Sequence, residues 1–247
     1  MNNHIKKAVD TSQRAQRNYD LSKSISQADL DTLIYAATKS PSKQNETHYS
    51  LYVLTDHAEI RKIYNETKLF ALVKDKEDIK KLYKEESGVF WQDKDLSVHN
   101  SQVLANALFV FVEDHGQPRG GNSMIAQSTN DDTTESSKNY QEQINFSIGI
   151  AVGELILSAA LLGYKTGLCS AFPKNTVKNI LSSQYLPKLL VGVGFDQPSV
   201  DRRYHAETLN RDLPQKYHTG PPEDLWKFPS FEKDIKVFVN GTYTKRS

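Results

Sequence analysis

The chain of 247 residues contains one cysteine, Cys169, which rules out an internal disulfide framework and any zinc ribbon built on cysteines. It also has little surplus charge. Thirty-one Lys and Arg against 30 Asp and Glu leave a net +1, too weak a field to draw the protein onto nucleic acid or an anionic membrane. Long hydrophobic runs are missing as well. The longest, from Ile148 to Leu162, is interrupted by Glu154 and falls short of the roughly 20 apolar residues that span a bilayer. No apolar stretch backs the charges of Met1–Lys7, so the start does not read as a secretory signal, and a cytoplasmic protein with no membrane partner is expected. The sequon at Asn45-Glu46-Thr47 then carries no weight. The seven histidines are scattered, with none at metal-ligand spacing to another His or to Cys169, so no metal site is expected. No Gly-Lys-Ser/Thr marks a phosphate loop and no Gly-x-Ser-x-Gly marks a serine nucleophile. Gly192-Val193-Gly194 is followed by Gln197 where a dinucleotide fingerprint needs its third glycine; these glycines read better as a strand end beside close-packed neighbours.

What is present suffices for one large domain. A helix is predicted from Ser26. Ser26 and Asp29 have capping-box spacing, Ile25 and Leu30 are placed as a hydrophobic staple, and Leu30, Leu33, Ile34 and Ala37 form a stripe that Pro41 ends. Tyr49–Thr55 has the β-branched and aromatic content of a strand. Residues 57–86 suggest two amphipathic helices. Ala107–Val112 is a continuous apolar run, expected as a strand buried on both faces. The polar stretch 114–143, with Gly120-Gly121 and Asp131-Asp132 as breakers, is expected to be a lid or loop. Ile144–Leu162 is apolar nearly all round, as for an interior or interface helix, with Gly163 at its C-cap. Leu189–Gly194 is a further buried strand. A polar arm, 221–247, follows Pro221-Pro222 and ends in a strand near Ile235–Val239. Helices and strands interleave irregularly without a linker, so residues 1–247 read as a single α+β domain.

Two segments carry chemistry. Arg14-Ala15-Gln16-Arg17-Asn18-Tyr19 sets two guanidinium forks ahead of the Ser26 helix, and Ser40-Pro41-Ser42-Lys43-Gln44-Asn45 follows that helix as a turn of hydroxyls, amides and backbone N–H groups. Guanidinium suits phosphates and the carbonyl edges of heterocycles, so the pair suggests a flat, phosphorylated cofactor, with FMN the leading candidate. Cys169, among apolar and small neighbours, reads as an inert buried thiol.

In order along residues 11–203, these segments resemble the nitroreductase-like FMN-dependent oxidoreductases. Arg14…Arg17-Asn18-Tyr19 resembles that family's amino-terminal arginine signature, and Ser40–Asn45 its Pro-Ser…Asn turn. Ile148–Tyr164 followed by Gly167-Leu168-Cys169-Ser170-Ala171-Phe172 resembles its central helix and flavin-facing strand end; Gly192-Val193-Gly194-Phe195 resembles its Gly-Tyr-Pro strand end. The resemblance implies a central, mainly antiparallel mixed sheet of about five strands flanked by helices. It also implies a homodimer with FMN at the interface and an exchanged C-terminal arm. Arg14 would hold the phosphate or ribityl chain, and Arg17, the one residue with a catalytic role, would stabilise negative charge at the pyrimidine edge. Asn100 would bond the ring edge, and the backbone at Ser170 and Ala171 would face O4 and N5. Ala15 and Leu168 would border the cofactor. Pro41, Ser42 and Asn45 would reach the flavin of the other subunit, and Arg202 or Arg203 would complete the phosphate clamp. Gln13, Ala15, Thr47-His48-Tyr49, Val103 and Ser170 depart from the family pattern. The activity implied is hydride transfer from NADH or NADPH to an electron-poor acceptor, such as a nitroaromatic or quinone, by a ping-pong mechanism. The alternatives are another redox role on the same fold (dehalogenation, dehydrogenation or flavin breakdown) or flavin binding without turnover.

Overall fold

The computed structural model describes residues 2–42, 45–46, 48–69, 98–114, 134–198, 237–239 and 242–244. Helix α1 (Asn3–Ser12) precedes the first helix expected from sequence. Its N-cap is Asn2, whose side-chain oxygen accepts from the backbone N–H groups of His4 and Ile5. Helix α2 (Gln27–Thr38) starts as expected, with Ser26 Oγ accepting from Asp29 N at 3.1 Å. The reciprocal half of the box is replaced: the Asp29 carboxylate accepts from Tyr164 Oη at 2.6 Å. Strand β1 (Tyr49–Leu54) leads to α3 (His57–Glu66), capped by Asp56. The short β2 (Lys68–Leu69) and β3 (Val98–His99) pair with each other. Then come β4 (Ala107–Glu113), α4 (Thr134–Leu161), β5 (Lys165–Cys169), α5 (Lys174–Ile180) and β6 (Pro187–Gly194). Strands β7 (Val237–Val239) and β8 (Thr242–Thr244) form a separate hairpin.

The main sheet has the order β1-β4-β6-β5 with every pairing antiparallel. This corrects the expected mixed sheet of about five strands. Among the described residues there are four, and the parallel element shrinks to a single bridge between Ala15 and Thr166. The apolar run of β4 is explained by helices on both sides. Ala107, Phe109 and Phe111 enter a core with Leu33 and Ala37 of α2 and Ile144, Ile148, Ala151, Val152, Leu155 and Ala159 of α4. Leu108, Val110 and Val112 enter a second core with Ile60, Ile63 and Tyr64 of α3 and Val177 of α5. Successive strand side chains point to opposite faces, and with both faces covered no polar alternation survives.

Helix α4 begins ten residues before Ile144, so residues 134–143 of the expected lid are helical. That decapeptide is polar but holds no Gly or Pro, and polarity alone does not break a helix. The rest of the lid beyond Asp114, the second amphipathic helix expected before residue 86, and most of the 221–247 arm lie outside the described residues. The helix ends as expected: Gly163 has φ +91°, a conformation open to glycine, and Tyr164 N returns to Ala159 O at 2.8 Å. Within α4, Gln141–Leu161 is, by length and composition, long and apolar enough to cross a membrane, longer than the run read from sequence. One face of it is the sheet-packed core just described. The opposite face leaves Phe146 59% and Ile150 43% exposed, and the neighbouring α1 leaves Ile5 54% and Val9 47% exposed.

Candidate functional site

The arginine segment is fixed by its backbone. Gln16 N donates to Thr166 O at 2.8 Å beside the Ala15–Thr166 bridge, which lays the segment on the outer edge of β5. Four residues on, Asp20 N donates to Phe195 O at 3.0 Å and Tyr19 bridges Asp196, past the end of β6. Between these ties the chain crosses the sheet close to its surface. The Tyr19 hydroxyl donates towards Gly192 O at 3.3 Å and Gln102 O at 3.5 Å, and burial pushes its phenol pKa up. Only glycines permit this approach: a Cβ on Gly167 would stand 2.7 Å from Gln16 O, and one on Gly192 would overlap the Gln102 carbonyl. The sequence reading of Gly192 as an allowance for close packing is what the structure displays.

Side chains missed by sequence reasoning lock the segment in place. Asn106 donates to Asp20 O (2.9 Å) and Lys23 O (2.7 Å) and accepts from Phe195 N (3.0 Å). Buried Gln16 donates to the carbonyl and side-chain oxygens of Asn18. Neither residue type has a spacing signature. Their signal is only that an amide buried in a loop needs partners.

With the segment so placed, Arg14 is exposed and Arg17 partly buried along the β5 side of the sheet. Asn100 joins them there. Its backbone N–H donates to Thr67 O at 2.9 Å, its side-chain oxygen accepts from Gln102 N at 3.1 Å, and it lies against Cys169. Burial raises the Cys169 thiol pKa, opposed by the Ala171 backbone and the Asn100 side chain; a thiol kept protonated is a poor nucleophile. Leu168 is partly buried, and Ser170 and Ala171 are exposed just past the strand end. Among the described residues, the Ala171 backbone is engaged with the Cys169 thiol, while no hydrogen-bond acceptor faces the backbone N–H of Ser170. Two guanidinium groups and the open N–H of Ser170 make a set that suits an anion and a carbonyl-rich ring edge, so the residues present fit FMN.

Pro41, Ser42 and Asn45 lie elsewhere. They belong to the α2–β1 connection, where Ser42 Oγ donates to Glu46 O at 2.5 Å, Asn45 N to Ser42 O at 3.0 Å, and Asn45 adopts φ 57°. Beside them Ser40 Oγ meets Tyr49 Oη at 3.0 Å, and Tyr49 Oη also donates to Ala37 O. Because β1 and β5 are the two edges of the sheet, this group stands three strand spacings, roughly 14 Å, from the first. Ser170 and Ala171 stand at the end of the sheet at which β1 begins and β5 finishes, the end of the Ser42 group, whereas the arginine segment is tied near the start of β5 and past the end of β6, at the other end. Arg202 and Arg203 lie outside the described residues.

A profile of the nitroreductase family matches residues 11–195, and the chain belongs to that family. Three solved structures share its fold. One is a nitroreductase-like protein of Exiguobacterium sibiricum in complex with FMN (16% identity, 85% of this chain and 93% of that one, TM-score 0.54). Another is a Staphylococcus epidermidis protein assigned as an NAD(P)H:FMN oxidoreductase (15%, 87% and 97%, TM-score 0.55). The third is a BluB-like flavoprotein of Clostridium difficile (15%, 85% and 99%, TM-score 0.54). A search of curated proteins gave no match.

Proposed function

We propose that this protein is a cytoplasmic, homodimeric oxidoreductase that binds FMN between its subunits, takes hydride from NADH or NADPH, and delivers it to an electron-poor acceptor such as a nitroaromatic or quinone. The observation that carries this reading is the division of the candidate contacts between the two edges of one sheet. Arg14, Ala15, Arg17, Asn100, Leu168, Ser170 and Ala171 belong to the β5 side, and Pro41, Ser42 and Asn45 to the β1 side. A second copy closes that gap if the β5 side of one subunit meets the β1 side of the other. The exposed apolar face of α1 and α4, with Ile5, Val9, Phe146 and Ile150, is the surface such a dimer would bury. The 221–247 arm adds its strand to the partner in this reading; a chain ending at Pro221 that stays fully dimeric and equally stable by light scattering and thermal melting contradicts that part.

When bound, FMN supplies the hydride chemistry, with donor and acceptor using the same face in turn. Arg14 neutralises the phosphate, alone or with Arg202 or Arg203. Arg17 would hold the pyrimidine edge and stabilise negative charge there, an effect strongest where water is excluded. The backbone at Ser170 and Ala171 would offer hydrogen bonds to the other ring edge and so orient it. Asn100 adds a side-chain contact and, against Cys169, holds the strand end that presents those donors.

The test is a visible spectrum of the purified protein followed by anaerobic NADH and then NADPH. A flavin spectrum that bleaches with one of them is expected. A colourless protein that takes up no added FMN overturns the proposal, and a yellow one that neither donor bleaches overturns the electron source.

A further inference from the structure

His48 stands where three elements meet. Its side chain is 2% exposed, and its carbonyl accepts from Asp114 N at 3.1 Å, adding a rung to the β1–β4 ladder. Nδ1 lies 3.0 Å from Ser147 Oγ on α4, and Nε2 lies 3.5 Å from Glu46 Oε2 in the α2–β1 connection. The donor roles follow from counting protons. Ser147 donates its one hydroxyl proton to Gln143 O, 2.9 Å away, so Oγ accepts and Nδ1 is the donor. The Glu46 carboxylate stands within ion-pair distance of Nε2 but is not hydrogen-bonded to it. Serine, histidine and glutamate have the make-up of a hydrolytic triad, but a serine 2% exposed that donates to its own helix is no nucleophile. The same contacts form a tether. Glu46 O holds Ser42 Oγ, Ser42 O holds Asn45 N, Glu46 Oε2 faces His48, and His48 donates to α4.

We propose that His48 is a positioning residue for the cofactor site: it pins the α2–β1 connection to α4, so that Ser42 and Asn45 are held ready for a flavin bound chiefly by the partner subunit. The cofactor role rests on the FMN reading above; the pin does not. A connection ordered in advance loses less freedom when ligand arrives, and the gain appears as slower dissociation. His48 occupies the chain between Glu46 and β1, so its replacement loosens both ends of the tether together.

The experiment pairs hydrogen exchange, followed on peptides from the α2–β1 connection, β4 and β5, with FMN dissociation. The full-length protein is compared with His48→Ala, His48→Asn and Glu46→Gln. Asparagine keeps a donor near the position of Nδ1, and Glu46→Gln removes only a charge at a partly exposed site, so it keeps the test open if His48→Ala misfolds. Expected is about tenfold faster exchange in the connection for His48→Ala with β4 and β5 unchanged, FMN leaving about tenfold faster, partial rescue by His48→Asn, and an intermediate effect for Glu46→Gln. Unchanged exchange in the connection, or equal acceleration across β4, overturns the pin. Local loosening with unchanged FMN dissociation overturns the cofactor role. A wild-type protein that binds no FMN removes the proposed function and the cofactor role together, while exchange still decides the pin.

Discussion

The two edges of the sheet are built by different means. At the β5 edge the arginine segment is placed by main-chain ties to Thr166 and Phe195, by glycines that let it lie close, and by the buried amides of Asn106 and Gln16. At the β1 edge the connection carrying Ser42 and Asn45 is placed by side chains: Ser40 on Tyr49, Ser42 on Glu46, and His48 between Glu46 and Ser147. The β5 edge fails when a Cβ intrudes on its close approach or when a buried amide that locks it is lost. A side-chain-built edge can be loosened one polar contact at a time. On the proposed function this gives each half of the cofactor site its own vulnerability.

The largest effect should come from the β5 edge. Gly192→Ala puts a methyl group onto the Gln102 carbonyl, backbone against backbone, and is expected to cost about 3 kcal/mol of stability, read by chemical denaturation. A loss under 1 kcal/mol would mean that the Gln102 loop, on which the Tyr19 hydroxyl also rests, lies further from the sheet. Next is Arg17→Ala. It should slow flavin reduction in stopped-flow roughly 100-fold while weakening FMN binding less; equal losses in both would reduce Arg17 to a binding residue. Phe146→Asp puts a charge into the exposed apolar face of α4 and should raise the dimer dissociation constant at least tenfold, or about 1.4 kcal/mol, by analytical ultracentrifugation. An unaffected dimer would place the interface elsewhere.

The smallest effect concerns Tyr164, just ahead of β5, and Asp29 of α2. The Tyr164 hydrogen bond, then that of Ser26, lowers the Asp29 carboxyl pKa, while burial and Asp29 raise the Tyr164 phenol to about 12. A depressed carboxylate pKa contributes stability above its unfolded value of about 3.9 and loses it as pH falls through the folded value. Tyr164→Phe should therefore be less stable than wild type at pH 7, with the gap closing as pH drops below about 4. A gap that persists at pH 2.5 would assign the loss to packing against Phe195, whose ring centroid is 5.0 Å from that of Tyr164.

Most of the sheet and its flanking helices was legible because hydrophobic pattern and capping agree. Ser26 starts α2, Gly163 ends α4, and the apolar runs at 107–112 and 189–194 fall within β4 and β6. Helix α1 was not legible, since its one buried residue is Ala8 and its larger apolar side chains, Ile5 and Val9, face outward. The start of α4 was hidden by polar composition. The two halves of the candidate site could be named from residue type, but their assignment to opposite edges depends on strand order, which the pattern of the chain does not encode. His48 stood out in the sequence only as a departure from the family pattern, and its contacts were hidden for a related reason: its partners are two residues and 99 residues away, and only folding brings both to one ring.

The central claim is that each flavin is held by the β5 side of one subunit and the β1 side of the other, and mixed dimers test it directly. One chain carries Arg14→Ala with Arg17→Ala; the other carries Ser42→Tyr, a bulky ring where the flavin is expected. Each is tagged differently, and heterodimers are isolated through both tags. If the site is shared, neither parent homodimer retains FMN, while the heterodimer has one site with both sides intact and binds one FMN per dimer. A heterodimer that binds none, although both chains fold and pair, would place the whole site within one chain and contradict the account.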